Sequence, residues 1–254
     1  MNDDRIVTVQ SPHVSGRSMA VDDLDLAQQA RDEAPIRVAL IRHAESVANT
    51  QLHVIGGRSN HSPLTAAGEQ QAGELGERLK AVGYSPDVIY SSPAVRTLAT
   101  AQIALSLTGY PDVIQVDDRL QELEQGEWTG RLRADTYTPS MSARIARSGV
   151  DFAAPGGESM RDVGQRMHNW LRSLASDGPA EVLAFTHGVA IRCLAGLVED
   201  WPHERIWKTH TANCSVTVLE VHGQSVKISA IGTDPEHFIT TAPEQRNRHA
   251  DKRV

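Results

Sequence analysis

The chain has 254 residues, of which 40% are hydrophobic, 22% charged and 4% aromatic. Those proportions suit a globular chain and exclude collagen-like, disulfide-scaffold and wholly disordered classes. The 25 Lys and Arg against 32 Asp and Glu leave a formal charge of −7, which gives no electrostatic basis for nonspecific binding to nucleic acid or an anionic membrane.

No run approaches the ~20 apolar residues that span a bilayer. Cys193 and Cys214 form neither a CxxC pair nor a zinc-ligand spacing. The first residues lack a basic stretch followed by an apolar one, so a secretory signal is not expected and the expected location is the cytoplasm.

In chain order, residues 1–34 read as a polar extension with one short helical stretch, Leu24–Ala34, stopped by Pro35. Ile36 to Ile41 is a short apolar run suited to a buried parallel strand. Thr65–Val82 has apolar residues at helical spacing, with Thr65 as N-cap and Gly83 past the end. A strand at Asp87–Ser91, a helix at Ala94–Leu107 and a strand at Asp112–Val116 continue a β/α alternation. Leu132–Val150 loses periodicity, accumulates arginines and reads as an insertion over one end of a sheet. Glu158–Leu174 is expected to be helical, Glu181–Phe185 a strand, and Val189–Leu197 an apolar helix. Cys214–Val221 and Ser225–Ile231 read as a hairpin adding antiparallel strands at one edge. The expected fold is a three-layer α/β/α sandwich with a mainly parallel sheet and an antiparallel edge. The domain built from these elements covers residues 35–240, followed by a polar tail at 241–254.

In open α/β sheets ligands bind beyond the carboxyl ends of the strands. Arg42-His43 follows the first expected strand, Ser92 to Arg96 the second, Glu122 the third, and Thr186-His187-Gly188 a later one. Two arginines, two histidines and one carboxylate form a coherent set for phosphoryl transfer. Guanidinium forks bind phosphoryl oxygens, an imidazole can attack phosphorus, and a carboxyl group can protonate the leaving oxygen. The arginines and the second histidine supply the positive charge, so neither metal nor cofactor is expected. HExxH and GxxxxGK[ST] are both absent from the sequence.

Leu40-Ile41-Arg42-His43-Ala44-Glu45-Ser46 with Asn49, then Ser62-Pro63-Leu64-Thr65 and Gly68, resemble the opening signature of the histidine phosphatase superfamily, whose fold is phosphoglycerate-mutase-like. Ser92-Pro93-Ala94-Val95-Arg96, Leu120-Gln121-Glu122 through Gly130, Pro155 to Ser159, and Thr186-His187-Gly188 follow in the family's order. The resemblance implies that His43 is the phosphorylated nucleophile, that Arg42 grips the phosphoryl group, and that Arg96 and His187 complete the phosphate pocket. It further implies that Glu122 is the proton donor, then the base for water, and that Asn49 and Arg58 lie in a pocket-lining, substrate-binding loop. Two departures are visible. Ala44 replaces the commoner Gly and is expected to add a methyl near the pocket wall, and the loop from Gly56 to His61 looks one residue longer than usual.

The implied activity is metal-independent phosphomonoester hydrolysis on a small phosphorylated metabolite, with a phosphoglycerate-type mutase and a non-catalytic phospho-ligand sensor as alternatives. Arg131, Arg133, Arg144 and Arg147 read first as a solvated face and otherwise as contacts to an anionic distal part of the substrate. His53, His61, His203 and His210 read as loop or surface residues, and Trp128, Trp201 and Trp207 as packing.

Overall fold

Strand β1 (Ile36–Arg42) is buried on both faces, which explains its unbroken apolar sequence. It occupies the middle of a six-stranded sheet of order β3-β2-β4-β1-β5-β6. The other strands are β2 (Val88–Ser91), β3 (Ile114–Val116), β4 (Glu181–Thr186), β5 (Val216–His222) and β6 (Ser225–Thr233). β1, β2, β3 and β4 run parallel, whereas β5 and β6 pair antiparallel, as the sequence predicts. The computed structural model describes residues 35–110, 113–174 and 180–235. The expected extension at 1–34 with its helix, the tail from 241 and the start of the Asp112–Val116 strand lie outside the described residues.

Side chains alternate across β1 and supply two cores. Val38 and Leu40 pack on one side with Met167, Trp170 and Leu171 of one helix and Ile191 and Leu194 of another. Ala39 and Ile41 pack on the other side with Leu75, Leu79, Ala101 and Ala104. The layers are therefore α/β/α. The second side carries α2 (Ala66–Ala81) and α3 (Val95–Ser106). α2 starts where Thr65 accepts the Gly68 amide at 3.0 Å. Gly76 lets α2 approach α3 closely, because a Cβ there would lie 2.5 Å from the Ala104 carbonyl oxygen.

Short helices went unread in the sequence or were read only as an insertion. α1 (Val47–Thr50) is a single turn, while α4 (Arg133–Thr136) and α5 (Pro139–Ser148) form the insertion. The first side of the sheet carries α6 (Met160–Leu174) and α7 (Gly188–Val198), followed by α8 (His203–Lys208). β5 starts at Val216 rather than Cys214 because Cys214 takes a φ of 56° in a turn closed by Ser215 N to Ala212 O. Among the described residues no helix is long and apolar enough to cross a membrane.

Candidate active site

The sheet order brings the motifs together. β1 and β4 are neighbours, with Arg42 opposite Thr186, so His43 and His187 leave the sheet side by side. Their ring centroids lie 5.2 Å apart at 65°. β2 flanks β4 on its other side, and Ser92 N donates to Phe185 O, placing the Ser92-to-Arg96 motif next to the same strand end.

Arg96 joins the two imidazoles. Its Nε donates to His43 Nε2 at 3.1 Å and its Nη2 to His187 Nδ1 at 2.9 Å. A guanidinium can only donate, so both of these ring nitrogens carry lone pairs. His43 Nδ1 therefore holds the proton and donates to the Ala44 carbonyl at 2.7 Å. His187 Nε2 holds its proton and donates to Ser92 Oγ at 2.8 Å. Burial, then the charges of Arg96 and Arg42, hold His43 well below the usual imidazole range. Burial and Arg96 act the same way on His187. Both rings are thus neutral near pH 7, and His43 Nε2 is a free-base nitrogen whose tautomer is fixed from behind.

Arg96 is buried at 3% exposure. Its Nη groups also donate to the Ser59 and Arg58 carbonyls at 2.8 and 2.9 Å. Arg42 donates Nη1 to Thr211 O at 2.6 Å. Burial lowers both arginines from their usual range, while the Glu122 charge opposes the shift. A guanidinium stays charged under such shifts. Gly188 gives Arg42 room, because a Cβ there would sit 3.2 Å from Arg42 Nε and 3.1 Å from Thr211 Oγ1.

Glu122 lies across the pocket at the start of α7. One carboxylate oxygen accepts Leu123 N and Ala190 N at 2.9 and 3.0 Å, and the other accepts Val189 N at 3.2 Å. A carboxylate at a helix N-terminus is held by unpaired amides and by the helix dipole. Arg42, His43, Asn49, Arg96 and Glu122 line one pocket of about 280 Å³. Asn49 is fixed there through Oδ1, which accepts Ser46 N at 3.1 Å and Asn213 Nδ2 at 3.4 Å.

Two expected site residues lie elsewhere than the pocket wall. His187 is fully buried behind Arg96. The Arg58 side chain turns away to Glu124 and Glu158, at 3.5 and 3.3 Å. Its Nε also donates to the Glu122 carbonyl at 3.4 Å, and its own carbonyl accepts from Arg96. Ala44 also departs from expectation. Its methyl is fully buried in the core with Ala39, Ile41 and Ala72, and its amide donates to Thr100 Oγ1 at 3.0 Å.

Several contributors escaped the sequence reading. Arg192, one turn after Gly188, lines the pocket and donates to the Gly188, Trp207 and Thr209 carbonyls at 3.0, 3.1 and 3.1 Å. It ties the segment bearing Thr211 to α7. Asn213 Nδ2 donates to His43 O at 2.8 Å. The signal for Arg192 is its i+4 spacing from Gly188; carbonyl acceptors such as Thr211 O leave none. Of the residues set aside, Arg133, Trp207 and His210 line the pocket.

The sequence matches the histidine phosphatase superfamily (branch 1) over residues 38–234. It is 33% identical over 189 residues to the probable phosphoglycerate mutase GpmB of Salmonella paratyphi B, an alignment covering 73% of this chain and 85% of the relative. YhfR of Bacillus stearothermophilus superimposes with a TM-score of 0.68 at 30% identity, covering 78% of this chain and 98% of that one. A mycobacterial glucosyl-3-phosphoglycerate phosphatase superimposes with a TM-score of 0.67 at 25% identity, covering 79% and 100%. The resemblance read in the motifs therefore extends over the whole sheet and its helices, and the chain belongs to the histidine phosphatase superfamily, branch 1.

Proposed function

We propose that the chain hydrolyses small phosphomonoesters through a phosphohistidine on His43. The observation that carries this reading is the hydrogen bonding of the His43 ring: Nδ1 donates to Ala44 O and the Nε2 lone pair accepts from Arg96 Nε, with burial holding the ring well below the usual imidazole range. As a phosphoryl group enters, its oxygens take the donors of Arg42 and Arg96, and Arg96 Nε releases His43 Nε2. Nε2 then forms a bond to phosphorus while the ester P–O bond breaks. Glu122 passes a proton to the leaving oxygen, and the alcohol departs. Water next attacks phosphorus, Glu122 takes its proton, the N–P bond breaks and inorganic phosphate leaves. His187 and Ser92 hold Arg96 in plane for both steps, and Asn49 lines the approach.

The catalytic domain is residues 35–240, with 1–34 and 241–254 outside it. The free, buried state of Cys193 and Cys214 fits a reducing cytoplasm. His43→Ala is expected to abolish phosphomonoester turnover, and EDTA to leave the wild type unchanged. Full activity in His43→Ala, or loss of activity in EDTA, would remove the reading.

The mutase reading has one observation in its favour, the name of the Salmonella relative. Incubation with a phosphoglycerate distinguishes the two readings. Hydrolysis releases inorganic phosphate, whereas a mutase moves the group to a second carbon without bulk release.

A further inference from the structure

The insertion leaves apolar surface uncovered next to the phosphate pocket. α5 buries none of its residues, although Met141 and Ile145 lie one turn apart on one face. Both pack only partly, against a small cluster of Ile55, Trp128 and Ala154. Tyr137 and Phe152 stand about the Trp128 ring, with centroids 5.7 and 5.4 Å away. Trp128, Tyr137, Ile145, Phe152, Met160 and Trp207 line a cleft of about 380 Å³.

This cleft and the phosphate pocket share walls. Leu123, Gln125, Arg133, Tyr137 and Trp207 line both. A ligand could therefore reach from one to the other along walls that the two have in common. Of the charged groups around it, Glu204 lies exposed at the rim, while Glu158 and Arg133 are engaged. Glu158 is bound by Arg166 at 2.8 Å and Arg58 at 3.3 Å. Arg133 donates Nε to Val54 O at 3.2 Å with its guanidinium carbon 6.0 Å from the Tyr137 centroid. A polyol placed there would exchange water for carbon and strand its hydroxyls, whereas an aromatic ring would meet ring edges and aliphatic side chains.

Resting on the reading of the phosphate pocket above, we propose that the substrate is a phosphomonoester of an aromatic or arylalkyl alcohol, its phosphate between Arg42 and Arg96 and its ring in the cleft beneath α5. The occupant is the leaving group itself, because Leu123, next in sequence to Glu122, is among the residues that line both cavities. Removing one ring from water at such a site is worth on the order of 10- to 100-fold in kcat/KM.

The test compares 3-phenylpropyl phosphate, propyl phosphate and glycerol 1-phosphate, all esters of primary alcohols. The wild type is expected to favour the phenylpropyl ester over the other two by at least about tenfold in kcat/KM. Ile145→Asp, on the half-exposed face of α5, is expected to remove that preference through KM and to leave propyl phosphate within about twofold. The retained propyl phosphate rate reports that the variant is folded, and Ile145→Leu is expected to restore the preference. Equal or better turnover of glycerol 1-phosphate by the wild type overturns the proposal, as does an equal loss on all three esters in Ile145→Asp. A wild type that hydrolyses none of them, or a His43→Ala variant that still does, sinks the phosphate-pocket reading and the proposal with it. Turnover of all three without preference sinks the proposal alone.

Discussion

Two buried neutral imidazoles make the native state sensitive to acid well above the carboxylate range. His43 and His187 are 3% and 0% exposed, and burial with the Arg96 charge sets both well below the ordinary value of 6.5. The unfolded chain therefore binds protons on these two residues as pH falls through 6.5, while the folded chain does not. Stability is fully present above that value and is lost below it, until the folded-state values are reached. Each histidine that stays neutral contributes a slope of about 1.4 kcal/mol per pH unit, so the pair approaches a limit of roughly 3 kcal/mol per unit. Urea unfolding in phosphate-free buffer between pH 7 and 5 reads this slope, in a window where carboxylates contribute little. His168 and His203 are lowered by burial too and add in the same direction, so the decisive comparison is with His43→Gln and His187→Gln. Each substitution is expected to flatten the slope by about 1.4 kcal/mol per unit, whatever it does to stability at pH 7. A flat wild-type profile, or variants with the wild-type slope, would refute the claim that both rings are held neutral.

Other consequences follow from single contacts. Arg96→Lys removes the planar fork that reaches both imidazoles and two carbonyls; an ammonium cannot reproduce it, and kcat is expected to fall by about 100-fold or more in steady-state assays. Gly188→Ala places a methyl against Arg42 and Thr211, and its expected signature is a raised KM for phosphomonoesters with an unchanged Tm. Arg192→Ala frees the segment that holds Arg42 through Thr211 O; as a positioning change it should raise KM more than it lowers kcat. Thr65→Ala loses the α2 cap and is expected to cost about 1 kcal/mol in urea unfolding without affecting turnover.

Much of this fold was legible because its rules are local. The apolar run of β1 and the helical spacing of α2 follow from burial and period alone, and Thr65 and Gly83 mark the ends of α2 in the structure as they do in the sequence. The convergence of His43, Arg96 and His187 was legible for a topological reason, since residues that follow neighbouring parallel strands must meet at one sheet end. α8 was not legible, because its six residues after Pro202 are too few for a period to show. Arg58 was read as a pocket side chain, yet only tertiary structure decides whether an arginine points at a pocket or at Glu124 and Glu158. Thr211 serves through its carbonyl, which every residue type possesses, so no side chain announces it. Ala44 illustrates the same limit, because adjacency to His43 in sequence does not say which of two cores its methyl enters.

The central claim is covalent, and rapid quench tests it most directly. Mixing the chain with a phosphomonoester labelled in its phosphate and quenching in base within the first turnover should trap label on the protein. That label should be stable to alkali, released by acid, and located at His43 by peptide mapping, with Glu122→Gln prolonging its life because water lacks its base. Steady turnover with no protein-bound phosphate at any quench time, or label on a residue other than His43, would contradict the account.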